Sequence, residues 1–232
     1  MISAFAWFPF GRRKRVEMAG IHFRAIRNGS ATRHYLHIHG NESTARQVLA
    51  DHLTRTKGTA WLIESDVRLV DFAAGRIDPN RMFSSEGAIR SLRRLNPDWS
   101  EAQYLNGALR LERERNKLLK VVLPKRDGLL FVLHNNSEGY SVRDEVAISD
   151  RTALNEPGRP HEFFLCTDPA DFEVLAKSPY NVVLQNRTAP PEDGSLSRLC
   201  AKRGIRYVNL EVALGQSGRQ REMLEWADSR LR

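Results

Sequence analysis

Short apolar runs and longer stretches with helical spacing alternate along the chain. The runs are either apolar throughout or alternate with polar residues, which predicts β-strands. They lie at 34–39, 60–65, 67–72, 128–134, 161–167, 180–186 and 205–214. The stretches between them favour helices, at 41–53, 85–95, 96–123, 168–178, 194–204 and 217–232. This alternation predicts a single α/β domain, with a mixed, largely parallel sheet sandwiched by helices.

The first residues differ in composition from the rest of the chain. An aromatic run, AFAWFPF at 4–10, is followed by the basic run RRKR at 12–15. A secretory signal has its positive charges before the apolar stretch, so we expect no cleaved signal here. We interpret residues 1–20 as an N-terminal arm and residues 21–232 as the folded domain. No apolar run approaches the roughly 18 residues of a membrane helix, so no transmembrane segment is expected.

The two cysteines, Cys166 and Cys200, are too few for a disulfide framework and lack the CxxC spacing of a thiolate metal site. Free thiols are typical of a reducing compartment. Together with the absence of a signal, they favour the cytoplasm, with the periplasm as the alternative.

The 232 residues carry a formal net charge of +8. Such an excess suits nucleic acid, an anionic membrane or small acidic substrates. The charge is spread out, however, and the long predicted helix at 96–123 interleaves acidic with basic residues, so no specific nucleic-acid partner is expected. The RRKR run still motivates an alternative function, a non-catalytic basic α/β module that binds nucleic acid or an anionic membrane.

Polar residues fall at or near the ends of several predicted strands, where ligands of α/β sheets gather. They are HGNE (39–42), DPNR (78–81), HNN (134–136) and Glu211. Two histidines and a carboxylate, with a fourth position open for water, make a typical hydrolytic zinc site. His39, Glu42 and His134 form such a set, and Glu211 could transfer the proton of the attacking water.

Each motif also has an ordinary structural interpretation. An HxxE pair is usually a polar turn, and a histidine at a strand end is more often a hydrogen-bonded core residue. Glu211 could be an exposed residue of an edge strand, and DPNR could be a turn with an ion pair, because Pro79 favours one.

The order of the motifs is more specific than any one of them. HGNE, DPNR followed by Met82 and Phe83, HNN, and YVNLE (207–211) span residues 39 to 211. In this order they resemble the zinc carboxypeptidase family, and most closely its succinylglutamate desuccinylase/aspartoacylase-like branch. The resemblance implies a zinc carboxypeptidase-like fold and a domain at 21–232 that is catalytic.

The resemblance also implies a role for each matching residue. One Zn²⁺ per chain would be held by His39, Glu42 and His134, and Asp78 would fix the tautomer of a ligating histidine. Glu211 would be the general base toward a zinc-bound water, and then the general acid. Asn80 and Arg81 would bind a substrate carboxylate.

The implied reaction is hydrolysis of an amide bond next to a carboxylate-bearing group. The substrate would be a small peptide or an N-acyl amino acid with a free carboxylate, cleaved by a carboxypeptidase or a deacylase respectively. The family's oxyanion-stabilising arginine has two candidates here, Arg68 and Arg76, and either could instead be a structural ion pair. Tyr140 could be a tyrosine that covers the substrate, or a plain turn residue.

Overall fold

The computed structural model describes residues 14–30, 32–125, 127–136, 139–187 and 192–231. The strands are β1 (Arg15–Met18), β2 (Ile21–Asn28), β3 (Arg33–His37), β4 (Gly58–Ile63), β5 (Val70–Phe72), β6 (Gly75–Ile77), β7 (Leu129–Asn136), β8 (Arg151–Leu154), β9 (Phe163–Cys166), β10 (Asn181–Leu184) and β11 (Tyr207–Ala213). The helices are α1 (Ser43–His52), α2 (Ser85–Leu95), α3 (Glu101–Val122), α4 (Val142–Val146), α5 (Pro169–Leu175), α6 (Leu196–Arg203) and α7 (Ser217–Arg230). A short 3₁₀ turn spans Pro79–Arg81.

Nine of these strands form one sheet, in the order β1-β2-β4-β3-β7-β11-β9-β10-β8. The central strands β4, β3, β7 and β11 run parallel to one another, as do β9 and β10. The remaining neighbours pair antiparallel. The predicted fold class, a mixed α/β sheet between helices, is therefore confirmed, with the parallel pairing concentrated at the centre.

Helices cover both faces of this sheet. One buried cluster joins it to α2, α3 and α6, and a second joins it to α1, α5 and α7. In β7, Leu130 and Val132 belong to the first cluster, whereas Phe131 and Leu133 belong to the second. Because both faces are covered, this strand is apolar without alternation, as the sequence indicated.

Several elements were not predicted from the sequence: β1, β2, β6, α4 and β8. The predicted strand at 67–72 is shortened to β5, which pairs with β6 in a separate two-stranded sheet. The arm expected at residues 1–20 overlaps β1, which pairs with β2 at the edge of the main sheet. Residues 1–13 lie outside the described residues, and with them the aromatic run and the first two residues of RRKR. A separate arm therefore remains a prediction.

Both cysteines are free and buried. Burial raises the pKa of each thiol, so neither is a ready nucleophile. Across the described ranges, no helix combines the length and apolar character needed to cross a membrane.

Candidate metal centre

The predicted ligands meet at one edge of the sheet, where the parallel strands β3 and β7 end. His39 and Glu42 lie in the loop between β3 and α1, and His134 lies near the end of β7. Glu211 on β11 is the direct cross-strand partner of His134. The parallel register thus brings groups that are far apart in the sequence to the same edge.

Three of these side chains make a compact cluster. Nδ1 of His39 lies 2.8 Å from Oε1 of Glu42 and 3.2 Å from Nδ1 of His134. Nδ1 of His134 lies 3.0 Å from Oε2 of Glu42. The residues are buried, with exposed fractions of 1% for His39, 2% for Glu42 and 4% for His134. Their polar atoms therefore face one another rather than water.

Asp78 binds one ring nitrogen of His39 and thereby determines which nitrogen remains for the cluster. Its Oδ1 lies 2.8 Å from Nε2 of His39 and also accepts the backbone N–H of Asn80. The hydrogen bonds and charge of His39, with help from nearby arginines, outweigh burial and hold the pKa of Asp78 well below its usual range. An ionised carboxylate only accepts hydrogen bonds, so Nε2 donates to Asp78, and Nδ1 carries the lone pair whenever the ring is neutral.

When both rings present unprotonated Nδ1 atoms, these two nitrogens and the Glu42 carboxylate direct lone pairs toward one point, an arrangement that suits a cation between them. Ligands about 2.0–2.1 Å from a tetrahedral ion lie roughly 3.3 Å apart. The separations of 2.8 to 3.2 Å in the cluster are close to this value. Two imidazoles and one carboxylate are also the donors of hydrolytic zinc sites. The three residues therefore fit a metal ion with one further position open.

The charges around Glu42 keep it ionised. Burial alone would raise the pKa of Glu42, but His134 and His39 outweigh burial and hold it well below its usual range. Nη1 of Arg68 also donates to Oε1 of Glu42 at 3.1 Å. Glu42 occupies the N-cap position of α1, where the helix dipole favours a negative charge. Burial opposes protonation of His39, yet hydrogen bonds to Asp78 and Glu42 raise its pKa.

Close packing fixes the loop that carries two of the ligands. A Cβ at Gly40 would collide with the backbone oxygens of Ser65 and Val67, the latter at 2.7 Å. Gly40 therefore permits close approach of the β4–β5 loop. Burial lowers the pKa of His37 to about 4, so the neutral ring donates from Nε2 to the backbone oxygen of Glu42 at 2.9 Å.

Asn135, the middle residue of HNN, has a structural role that the sequence did not indicate. Its Oδ1 accepts the backbone N–H of Ala45 in the first turn of α1 at 2.8 Å. Its Nδ2 donates to Gln220 on α7 and to the backbone of Val212. Asn135 thus ties the helix that follows Glu42 to the strand that carries His134.

Glu211 is buried beside the cluster, on the strand next to His134. Burial raises the pKa of its carboxyl group, Glu42 adds to the effect, and His134 opposes it. Nδ2 of Asn209 donates to Oε1 of Glu211 at 3.0 Å. Glu211 is therefore not an exposed residue on an edge strand but an oriented carboxyl group in the interior of the molecule.

A cavity of about 500 Å³ opens onto the cluster. Its walls include every residue assigned above to ligation, catalysis or substrate binding: His39, Glu42, His134, Glu211, Asn80, Arg81 and Tyr140. Arg68 also lines the cavity, whereas Arg76 lies on the exposed side of β6 and is not among the lining residues. Of the two oxyanion candidates, Arg68 alone has the required position.

The side chains expected to contact substrate already have protein partners. Oδ1 of Asn80 accepts the backbone N–H of Leu196 at the start of α6, which leaves its Nδ2 to donate. Nη1 of Arg81 lies 3.8 Å from Oδ2 of Asp193 at the cavity wall. Tyr140 donates its hydroxyl to Glu145. A substrate carboxylate would therefore compete with Asp193 for Arg81.

Two buried residues on the cavity wall escaped the sequence analysis. Arg198 is 5% exposed, and within the described part of the chain its Nη1 has no hydrogen-bond partner. The same holds for Oδ1 of Asn209. Buried polar atoms without partners are uncommon, so both mark positions where a bound molecule could supply one. The sequence does not indicate either position, because an arginine in a predicted helix and an asparagine in a predicted strand are ordinary in a basic protein.

Neither a family model nor a curated protein matches this chain. Solved structures similar to it include a succinylglutamate desuccinylase from Silicibacter sp. TM1040, with 14% identity over 89% of this chain and 59% of that one, at a TM-score of 0.47. A succinylglutamate desuccinylase/aspartoacylase from Rhodobacter sphaeroides has 15% identity over 93% of this chain and 62% of that one, at 0.47. The ectoine utilization protein EutE (DoeB) from Ruegeria pomeroyi has 14% identity over 91% and 62%, at 0.45.

The structures from Silicibacter and Rhodobacter carry the names of the branch that the four motifs resemble, succinylglutamate desuccinylase and aspartoacylase. The chain spans only about 59 to 62% of the length of these solved structures. At such identities and TM-scores, the chemistry of this chain has to be judged from its own residues.

Proposed function

We propose that the domain is a zinc-dependent hydrolase that cleaves an amide bond next to a carboxylate-bearing group. The observation that carries this proposal is the convergence of Nδ1 of His39, the carboxylate of Glu42 and Nδ1 of His134 in a buried cluster that faces a cavity. A buried carboxyl group, Glu211, lies on the adjacent strand in the same cavity. One Zn²⁺ per chain, held by the three residues, would act as a Lewis acid toward the scissile carbonyl and the attacking water.

Glu211 is the residue that moves the proton. It accepts the proton of the attacking water at a carboxylate oxygen and returns it to the leaving nitrogen. Its raised pKa favours this double role, because a carboxyl group with an ordinary pKa is a weak acid–base partner near neutral pH. The hydrogen bond from Asn209 keeps one carboxylate oxygen oriented while the other is free to act.

The cationic residues orient the substrate. Arg68, already within reach of Glu42 and Asp78, would donate to the oxygen that becomes negative during attack. Arg81 and Nδ2 of Asn80 would bind the substrate carboxylate, and Nη1 of Arg198 is a further donor for an anionic group. Tyr140, which lines the same cavity, would contact the substrate as well. These donors favour an N-acyl amino acid or a small peptide with a free carboxylate.

The intact cluster argues against the non-catalytic basic module, since a binding surface would not require a buried set of metal-binding donors. The free, buried cysteines are in keeping with a reducing compartment, and we propose that the reaction takes place in the cytoplasm.

Metal content and turnover test the proposal together. Purified protein should retain about one zinc per chain by plasma mass spectrometry after dialysis, and a panel of N-acyl amino acids and dipeptides should release free amino acid. His134→Gln should lose both properties, whereas the control His22→Gln, at an exposed position on β2, should keep both. Wild-type protein that binds no zinc, or binds it without hydrolysing any compound of either class, would contradict the proposal.

A further inference from the structure

Glu145, on α4, presents a carboxylate to the cavity that the proposed reaction does not use. The hydroxyl of Tyr140 donates to its Oε1 at 2.8 Å, and Nε2 of Gln185 donates to its Oε2. Both oxygens are therefore held in place from the protein side. Each carboxylate oxygen can accept a second hydrogen bond, so Glu145 retains the capacity to bind a donor in the cavity.

The charge of Glu145 has no cationic partner. Among the residues that the structure describes, it takes part in no ion pair of 4.0 Å or less, although the chain contains 36 lysines and arginines. The other acids at the cavity are different: Glu42 pairs with Arg68, and Asp193 lies near Arg81. Glu211 is the proton-transfer group. Among the described residues that line the cavity, Glu145 is therefore the carboxylate that has neither a countercharge nor a role in the proposed reaction.

A partly buried carboxylate without a countercharge favours a cation over a neutral donor. A neutral amide or hydroxyl of the substrate could hydrogen-bond to Glu145 but would leave its charge uncompensated. A fixed negative group without a countercharge on the cavity wall also discriminates against wholly anionic substrates, even in a protein with a net charge of +8.

We propose that Glu145 is a specificity subsite that binds a cationic group, an ammonium or a guanidinium, on the substrate. This inference rests on the proposed function and narrows its substrate class. The substrate would carry its carboxylate toward Arg81, its acyl amide at the metal cluster and its cationic side chain toward Glu145. N-acyl derivatives of basic amino acids have this distribution of charge.

Matched substrates test the subsite through kinetics. Nα-acetyl-L-lysine and Nα-acetyl-L-norleucine have side chains of nearly the same shape, and only the side chain of the first carries an ammonium. The zinc-loaded wild type should prefer the lysine compound in kcat/KM by roughly tenfold, as a charge-assisted hydrogen bond implies. Glu145→Gln, which keeps an oxygen for the hydroxyl of Tyr140, should bring the ratio close to one. Glu173→Gln, an exposed position on α5 outside the cavity, should keep the wild-type ratio.

Calorimetric binding of 6-aminohexanoate and hexanoate to the zinc-loaded protein separates this inference from the proposed function, because binding needs no turnover. Both compounds carry a carboxylate, and only the first carries an ammonium. If neither acetyl compound is hydrolysed but 6-aminohexanoate binds more tightly and Glu145→Gln abolishes the difference, the subsite stands and the proposed activity fails. Equal binding of both carboxylates by the wild type overturns the subsite even in an active hydrolase. That comparison requires no variant, so it decides the matter even if Glu145→Gln does not fold. A preference for 6-aminohexanoate that survives in a folded Glu145→Gln protein overturns the subsite equally.

Discussion

At the scale of single residues, the hydrogen bond between Asp78 and His39 leaves Nδ1 as the nitrogen available to the proposed metal. The carboxylate selects the tautomer and orients the ring, and Asp78 also caps the turn that carries Asn80 and Arg81. Removal of such an orienting carboxylate typically weakens metal affinity by about 10–100-fold. The geometry therefore predicts a loss of affinity without a loss of the ligands themselves.

We expect Asp78→Asn to weaken zinc binding within that range, about 10–100-fold. Titration against a competing chelator of known affinity measures the change. Asp71→Asn on β5 is the matched control, because Asp71 is exposed and does not line the cavity. An unchanged zinc affinity in Asp78→Asn would show that His39 does not depend on Asp78 for its tautomer.

Glu211 links the proposed catalysis to the stability of the fold. Its pKa is raised from 4.5 in the folded state, chiefly by burial, so the ionised form is disfavoured relative to the unfolded chain. The folded state therefore has its full stability below the unfolded pKa and loses part of it as pH rises through the folded pKa. A neutral amide at this position would not carry that penalty.

Glu211→Gln should lower kcat/KM about 10²–10⁴-fold at an unchanged zinc content, as expected for a lost general base. In the presence of a chelator at pH 8, the metal-free variant should have a higher Tm than the metal-free wild type. This difference in Tm should shrink as the pH falls toward 4.5. Calorimetric melts at several pH values check this, with Glu173→Gln as the control. A variant that melts lower than the wild type at pH 8 would contradict the sign of the shift.

At the scale of elements, the loop between β3 and α1 delivers two ligands and depends on Gly40. A side chain there would meet backbone atoms of the β4–β5 loop, which cannot move aside as a flexible side chain can. We expect Gly40→Ala to cost about 1–3 kcal/mol of unfolding free energy, as overpacking typically does, and to weaken zinc binding. Urea unfolding measures the first effect. Gly158→Ala is the control, since its Cβ would meet no atom within 4 Å, and an equal effect of both changes would contradict this prediction.

The elements also show what the sequence pattern could and could not predict. The helix predicted at 85–95 has those same bounds in the structure, because its amphipathic spacing is strong. The helix predicted at 96–123 begins only at Glu101, after a capping box that joins Ser100 and Gln103. The hydrophobic spacing placed the start too early, although Asp98 or Ser100 was the candidate cap in the sequence and Ser-x-x-Gln is a signature of such a start. In β2, Ile21, Phe23 and Ala25 alternate with polar residues, a pattern that is typical of a strand. β8, short and largely exposed at the sheet edge, carries no such signal.

At the scale of the whole molecule, the candidate site consists of a cluster that the sequence predicted and of surrounding residues that it did not. The order of four motifs was enough to propose the cluster, since those residues recur together in a family that the chain resembles. The sequence did not indicate the residues that surround this cluster, because their roles depend on long-range contacts. Asn135 contacts Ala45 and Gln220 on two helices, and Arg198 on α6 lines a cavity to which helices, strands and loops contribute. Hydrophobic periodicity places elements, but it does not place such contacts.

Metal binding should stabilise the entire fold, because the ligands come from segments almost a hundred residues apart, the loop after β3 and the end of β7. An ion that binds only the folded state at a hundred times its dissociation constant adds about 2.7 kcal/mol, which for a chain of this size corresponds to a rise in Tm of roughly 5–10 °C. Differential scanning calorimetry with zinc and with chelator measures this rise. His22→Gln should keep the rise and His134→Gln should lose it. An equal rise in His134→Gln would mean that zinc stabilises the protein elsewhere, and no rise in the wild type would mean that the cluster does not join these segments through a metal.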